Sequence, residues 1–175
     1  MIELIKKNYF VCVGIFLSIV LLVIFNEIFF DNKTFGSSDN LSPKAVGLAL
    51  NEVMEKEGGY PHWQPWVFSG MPTAEAFTNI SQLYFPEYLF KIFSVPGMFI
   101  QISHFLFCGI GMVLLLRYLG CSYWSSLLGS IGFMITPYMV TMLVFGHGSQ
   151  IMTAAYIPWI VMFAIKLWNN PKIVN

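Results

Sequence analysis

The sequence has 175 residues, of which 57% are hydrophobic and 10% charged, and nine basic and nine acidic side chains give it no net charge. Soluble domains carry roughly 25% charged residues, so this composition excludes an ordinary soluble protein and indicates an integral membrane protein. The balanced charge lacks the electrostatic footprint of a nucleic-acid-binding protein, and no nucleic acid partner is expected. The cysteines, Cys12, Cys108 and Cys121, show no CxxC spacing and are predicted to pack in apolar surroundings.

Four apolar runs approach the roughly 20 residues that a helix needs to cross a lipid bilayer. They cover residues 9–30, 96–116, 122–145 and 151–168. Pro137 predicts a kink inside the third run, because proline lacks the N–H that continues a helix. The predicted fold is all-α and integral to the membrane, with about four transmembrane helices in one membrane region, 1–175, and a long extracytoplasmic loop.

The basic residues predict the orientation of these helices, since lysine and arginine collect in short cytoplasmic segments. They flank the runs at one end of each predicted helix, at Lys6, Lys7, Arg117, Lys166 and Lys172. Both termini are therefore predicted to be cytoplasmic in a multi-pass membrane protein. Residues 31–95 form the long outer loop, and a short outer loop lies around residues 146–150. The first run is too long for a cleaved signal peptide and is interpreted as a retained anchor.

The long loop is predicted to contain one short amphipathic helix. Ser42 suits the N-cap, Pro43 suits the first helical position, and Gly58 with Gly59 suits the end. Such a helix is expected to lie on the bilayer surface or to pack on the membrane helices.

The next stretch, residues 61–72 ("PHWQPWVFSGMP"), combines three prolines with several aromatic side chains. Prolines at this density exclude a regular helix or a central strand. Trp63, Trp66 and Phe68 suit an anchor at the lipid headgroup level, and they equally suit the rigid wall of a small-molecule or sugar pocket. Periodicity does not choose between these two interpretations.

Two motifs give the chain a resemblance to a known family. The first motif is W-x-P-x-x-F-x-G-M-P, at Trp63, Pro65, Phe68, Gly70, Met71 and Pro72. The second is G-H followed by A-Y-x-P, at Gly146, His147, Ala155, Tyr156 and Pro158. In this order, after a first span and an acidic segment, they resemble the N-terminal part of the YfhO-like bacterial membrane proteins. That group is placed with the GT-C type of glycosyltransferases, which depend on polyprenyl phosphate.

The resemblance implies a function and a larger protein. It implies transfer of a sugar from a polyprenyl-phosphate carrier to a cell-envelope acceptor on the outer face of the membrane. Family members are several times longer, so the chain is expected to be an N-terminal fragment, inactive in isolation and completed by a missing C-terminal part or a partner subunit. The lipid bilayer and the polyprenyl-phosphate-linked sugar are its expected partners.

The resemblance also assigns candidate site residues. Asp39 matches the acidic position in the first outer loop, where GT-C enzymes place a general base or a group that holds the acceptor or a metal; without the family it would be a helix cap. His147, between two glycines, is a candidate for binding the donor phosphate or shuttling a proton, or simply a loop residue. Trp63, Trp66 and Met71 are candidates for the substrate-binding wall.

Glu75 is a weaker candidate for a sugar or metal contact. The histidines lack zinc spacing and no metal ligand is assigned, although the resemblance leaves a divalent metal cofactor open. The alternative function is that of a non-enzymatic multi-span protein, a transporter or an assembly subunit, in which the intramembrane His104 would line a path. Small residues in the second and third runs predict close packing of the helices. These residues are Gly109, Gly111, Gly120, Gly129 and Gly132.

Overall fold

The computed structural model describes residues 8–31, 33–59, 61–73 and 84–170. In chain order its elements are α1 (Tyr9–Ile24), α2 (Asn26–Phe30), α3 (Ser38–Glu57), β1 (Trp63–Gln64), β2 (Met71–Pro72), α4 (Phe85–Ile92), α5 (Gly97–Tyr118), α6 (Tyr123–Met134), α7 (Pro137–Val144), α8 (Gly148–Ala154) and α9 (Ile157–Asn169). They form two compact units. The helix bundle consists of α1, α2 and α5–α9, and the inserted unit consists of Phe35–Val95 together with Val144–His147.

Among the described residues, three segments of the helix bundle are long and apolar enough to cross a membrane. They are Gly97–Tyr118, Tyr123–Val144 and Gly148–Asn169, and each has 22 residues. At 1.5 Å per residue such a segment is about 33 Å long, close to the thickness of the hydrocarbon layer. Many apolar side chains on the bundle surface are exposed, among them Ile15, Ile19 and Phe163, as expected where lipid is the solvent. The chain is therefore a membrane protein.

Prolines divide two of these segments, as predicted for the third run. The helix α6 ends at Met134 and α7 begins at Pro137, which confirms the interruption there. The last segment is likewise divided between α8 and α9, just before Pro158. This segment begins at Gly148 rather than at residue 151, so the short outer loop predicted around residues 146–150 is largely helical.

The first predicted run forms α1 and α2, with a break at Phe25. Alone, α1 has 16 residues and is shorter than the three long segments. Its buried face packs along α5 in antiparallel order: Leu17 lies beside Gly109, and the Phe25 and Phe105 rings meet at 5.6 Å between centroids. Beyond the break, Phe29 in α2 contacts Phe99 at 5.0 Å. At the opposite end, the Tyr9 hydroxyl donates to the carbonyl of Tyr123 at 2.8 Å.

Small residues let the helices of the bundle approach each other. A methyl group built on Gly111 would overlap the Trp159 indole, and one built on Gly109 would lie 2.9 Å from the Met134 sulfur. The Trp159 Nε1–H donates to the Phe107 carbonyl at 3.0 Å, and its ring stacks on that phenylalanine. Close packing at these glycines, and at Gly129 against Leu116, agrees with the prediction, whereas a Cβ built on Gly120 or Gly132 would meet no atom within 4 Å, so the prediction was wrong for these two.

In the inserted unit, α3 ends where it was predicted to end but begins earlier. Gly58 adopts a left-handed φ of 74°, and its N–H donates to the Met54 carbonyl, which closes the helix. The start is Ser38, with Ser37 as N-cap, so the prediction that Ser42 caps the helix was wrong. Pro43 therefore lies beyond the first turn, where its missing N–H removes a single backbone hydrogen bond, a loss that a helix of 20 residues tolerates.

The proline-rich stretch forms a small hairpin without a regular helix. The two strands pair antiparallel, with Trp63 opposite Pro72 and Gln64 opposite Met71. Between them Phe68, Ser69 and Gly70 all have positive φ angles, of 51°, 63° and 116°. The hairpin is closed by the Thr73 hydroxyl, which donates to the carbonyl of Pro61 at 2.6 Å.

Candidate functional site

Asp39 and His147 come together in the inserted unit, although they lie far apart in the sequence. The carboxylate Oδ2 of Asp39 and the Nε2 of His147 are 3.7 Å apart. This separation is that of an ion pair when the imidazole is protonated, and it is longer than a direct hydrogen bond. The acidic residue that the resemblance selected and the histidine between two glycines thus form one cluster.

The start of α3 positions the aspartate. Asp39 is the second residue of the helix and is the acidic residue in its first turn. The unsatisfied N–H groups at a helix N-terminus carry partial positive charge, which favours a carboxylate at this place. The beginning of α3 is therefore a position that suits an acidic side chain.

Two glycines position the histidine. Gly146 has a φ of 88°, a conformation that side chains rarely adopt, and it turns the chain sharply after α7. Gly148 follows and begins α8, where a Cβ would collide with the amide of Gln101. The turn just before His147 therefore depends on a backbone conformation that glycine supplies readily.

Both side chains of the pair remain accessible. The side chain of Asp39 is 56% exposed and that of His147 is 42% exposed. Exposed ion pairs contribute at most about 1 kcal/mol to stability, so stabilisation alone gives little reason for this arrangement. A carboxylate and an imidazole that meet at an accessible surface can instead accept a proton from a ligand and bind an anionic group.

The aromatic candidates lie in the hairpin. The Trp63 indole covers Gly70, because a Cβ built on that glycine would lie 2.8 Å from its ring atoms. Trp63 and Trp66 remain about half exposed, at 56% and 53%, while Met71 is partly buried in the strand pair. The hairpin thus places Trp63 and Met71 on neighbouring strands and presents flat aromatic surface outward. Glu75, the remaining candidate, lies outside the described residues.

The cluster does not by itself make a metal site. Asp39 and His147 supply two ligand groups, whereas hard divalent cations take six or more ligands and zinc takes four. Within residues 8–31, 33–59, 61–73 and 84–170, no group of three histidine, cysteine or acidic side chains could hold a metal ion.

His104 is buried in the bundle rather than exposed. Its Nδ1–H donates to the Ile100 carbonyl in the same helix at 2.7 Å, and only 4% of the residue is exposed. A histidine that bonds its own helix and packs between neighbours has a structural use, so the path required by the transport alternative gains no support from this side chain.

The sequence interpretation missed a groove in the bundle whose mainly apolar lining includes several polar side chains. It has a volume of about 440 Å³ and is lined by Tyr138, Ser149, Gln150, Thr153, Ala154 and Ile157. Polar residues at i, i+1 and i+4 in an otherwise apolar helix were the available signal, since such residues share one side of a membrane helix. The groove offers hydroxyl and amide groups to a polar ligand.

Comparisons with known proteins add no relative. No family model, no curated protein and no solved structure matches the chain.

Proposed function

We propose that the chain is the N-terminal part of a membrane-embedded glycosyltransferase of the GT-C type, related to the YfhO-like proteins. It would move a sugar from a polyprenyl-phosphate carrier to a cell-envelope acceptor on the outer face of the bacterial inner membrane. The observation that carries the proposal is the 3.7 Å approach of Asp39 and His147. The two residues have complementary chemistry for this reaction.

In the proposed reaction Asp39 is the general base. The acceptor hydroxyl oxygen attacks the anomeric carbon of the donor sugar while its proton passes to the Asp39 carboxylate. The bond between the anomeric carbon and the phosphate oxygen breaks, and polyprenyl phosphate leaves with the electron pair. A carboxylate positioned to accept this proton contributes typically 10²–10⁴-fold to the rate.

His147 would bind the phosphate of the donor. A protonated imidazole offers a positive charge and two N–H donors, and charge-assisted hydrogen bonds to phosphate oxygens are stronger than neutral ones. Placing this group 3.7 Å from the base brings the leaving group and the proton acceptor into one small region. Holding reacting groups together in this way lowers the entropic part of the barrier.

The hairpin would provide the wall of the same site. The exposed indoles of Trp63 and Trp66 suit the apolar faces of a sugar ring, and the close packing of Trp63 on Gly70 makes the surface rigid. Met71, on the strand opposite, would complete this surface. A rigid wall orients the donor without a large loss of side-chain entropy.

The proposed protein crosses the membrane four times in this chain and has both ends of the chain in the cytoplasm. The antiparallel packing of α1 and α2 along α5, from Tyr9 at one end to Phe29 at the other, supports a fourth crossing. The segment of α1 and α2 together has as many residues as Gly97–Tyr118, so in the proposed topology it would cover a similar thickness of membrane. The first span would then end, and the second would begin, outside the cytoplasm.

The test is Asp39→Asn, introduced into the gene in the cells that naturally make the protein. Cell-envelope glycans are measured by mass spectrometry in this strain and in a deletion strain. We expect Asp39→Asn to slow transfer 10²–10⁴-fold and to reproduce the glycan defect of the deletion, because asparagine cannot accept the proton.

Asp31→Asn is the matched control. Asp31 is 55% exposed and also has an ion-pair partner at 3.7 Å, Lys33, but it lies at the end of α2 and has no role in the proposed reaction. Glycans should remain unchanged in that strain. An Asp39→Asn strain with normal protein levels and normal glycans, beside a deletion that alters them, would refute the catalytic role of Asp39. A deletion without effect on any envelope glycan would refute the transferase itself.

A further inference from the structure

The helix α4 (Phe85–Ile92) lies within the region that the sequence interpretation treated as part of the outer loop. Pro86 occupies the first turn, where its missing N–H costs nothing. The helix ends in a Schellman motif: the Ser94 N–H donates to the Lys91 carbonyl, and the Val95 N–H donates to the Phe90 carbonyl, both at 3.0 Å. Ser94 has the left-handed φ of 50° that this motif requires. The end of the helix is therefore a defined structure.

One side of this helix is apolar and open. Phe85, Leu89, Ile92 and Phe93 stand at i, i+4, i+7 and i+8, positions that share one face of a helix. Their exposed fractions are 71%, 50%, 73% and 76%. Large apolar side chains exposed together in this register are not the solvated side of a surface helix, which is polar.

The covalent connection indicates what covers this face. Only residues 93–96 separate α4 from α5, one of the three segments able to span a membrane. Five residue steps reach at most about 18 Å in an extended chain. Because α5 is about as long as the hydrocarbon layer is thick, its first residue lies near the membrane surface. The apolar face of α4 is thus held within a short distance of the bilayer.

We propose that α4 is an interfacial helix that lies in the surface of the membrane and inserts Phe85, Leu89, Ile92 and Phe93 among the lipid chains. Short amphipathic helices with aromatic and aliphatic residues on one face bind the boundary between headgroups and acyl chains in this way. Lys91, on the opposite side of the helix, can remain among the headgroups. The proposal depends on the membrane setting and not on glycosyl transfer.

Such an anchor would have a specific consequence for the inserted unit. It would attach the segment that follows the hairpin to the membrane surface, at the level where a lipid-linked ligand presents its headgroup. The partner of this surface is therefore the bilayer itself.

The test places an environment-sensitive fluorophore at single cysteines in the full chain, reconstituted in phosphatidylethanolamine and phosphatidylglycerol vesicles. Cys12 and Cys121 are replaced by alanine, and Cys108 is retained because it is fully buried. Phe85→Cys, Ile92→Cys and Phe93→Cys report on the apolar face. Lys91→Cys is the matched control on the same helix. Quenching is measured with lipids that carry a nitroxide on the acyl chain.

We expect the three positions on the apolar face to show blue-shifted emission and at least threefold stronger quenching than position 91. Equal, weak quenching at all four positions would overturn the proposal. Blue-shifted emission without quenching would also overturn it, because the face would then be covered by protein, such as a second copy of the chain. A photoactivatable phospholipid supplies an independent measurement on the unaltered chain. Crosslinks should map to residues 85–93, and their absence there, with crosslinks on α5, would count against the proposal.

Discussion

At the scale of single residues, the glycines of the bundle differ in what they do. The indole of Trp159 packs against Gly111, whereas a methyl group added to Gly132 would have no atom within 4 Å. Both were expected to serve close packing because small residues in membrane helices commonly do. A sequence pattern cannot tell which glycine faces a neighbour, since this depends on the rotation of each helix.

Gly111→Ala should destabilise the bundle by about 1–3 kcal/mol, the usual cost of an overpacked contact. The added methyl would displace Trp159, whose Nε1–H bond to the Phe107 carbonyl and whose stacked ring would both be lost. Stability is measured by unfolding the purified protein with sodium dodecyl sulfate from mixed micelles. Gly132→Ala is the control and should be neutral or stabilising by up to about 1 kcal/mol, because alanine favours the helix. Equal losses in both variants would contradict the packing of Trp159 on Gly111.

At the scale of the helices and strands, hydrogen bonds between helices matter more than those within one helix. Two fully buried serines in α6 make the comparison. Ser130 donates to the Gly109 carbonyl of α5, and Ser126 donates to the Ser122 carbonyl just before its own helix, both at 2.8 Å. The residue type, the burial and the distance are the same, and only the acceptor's location differs.

Ser130→Ala should therefore cost about 0.6–1.7 kcal/mol, the range for hydrogen bonds between membrane helices. Ser126→Ala should cost clearly less, because the bond it removes holds no second helix in place. The same detergent unfolding experiment measures both variants. A Ser126→Ala loss as large as that of Ser130→Ala would show that the α5–α6 contact does not depend on this bond.

The helices also show what the sequence could and could not predict. The three long spans follow from hydropathy, since only apolar side chains can face lipid. The start of α3 was missed because Ser42 and Pro43 form a plausible cap and first turn, yet the structure begins the helix at Ser38. The helix α4 was missed although Phe85, Leu89 and Ile92 have helical spacing. The left-handed residue that follows its end is Ser94 rather than a glycine, and a left-handed serine is not recognisable from the sequence.

At the scale of the whole molecule, one part of the candidate site could be predicted from the sequence and another part could not. Asp39 was selected because it matches the acidic position that the family resemblance implies, and His147 because two glycines flank it in an apolar chain. Their pairing could not be predicted, since it depends on how α3 and the turn after α7 fold together in the inserted unit. The neighbours of a residue distant in the sequence are set by tertiary packing.

The last prediction concerns the orientation of the whole chain in the membrane. Arg117 and Lys166 lie at the same end of the bundle, beside tyrosines. Arg117 lies over the Tyr123 ring, and Lys166 lies near the Tyr118 ring. Basic and aromatic side chains together are typical of the membrane boundary, and the basic excess favours the cytoplasmic side. The inserted unit, which follows the opposite end of α1 and α2, should then lie outside the cytoplasm.

Single cysteines test this orientation in intact cells, again with Cys12 and Cys121 replaced by alanine. Glu55→Cys lies on the exposed surface of α3, and Asn170→Cys lies just past α9. A membrane-impermeant maleimide should label the cysteine at position 55 in intact cells and the cysteine at position 170 only after the membrane is permeabilised. The reverse pattern would place the Asp39–His147 cluster in the cytoplasm, where acceptors of the cell envelope are absent. Labelling of both positions in intact cells would show that the segment between them crosses the membrane an even number of times, in conflict with the three long helices of the bundle.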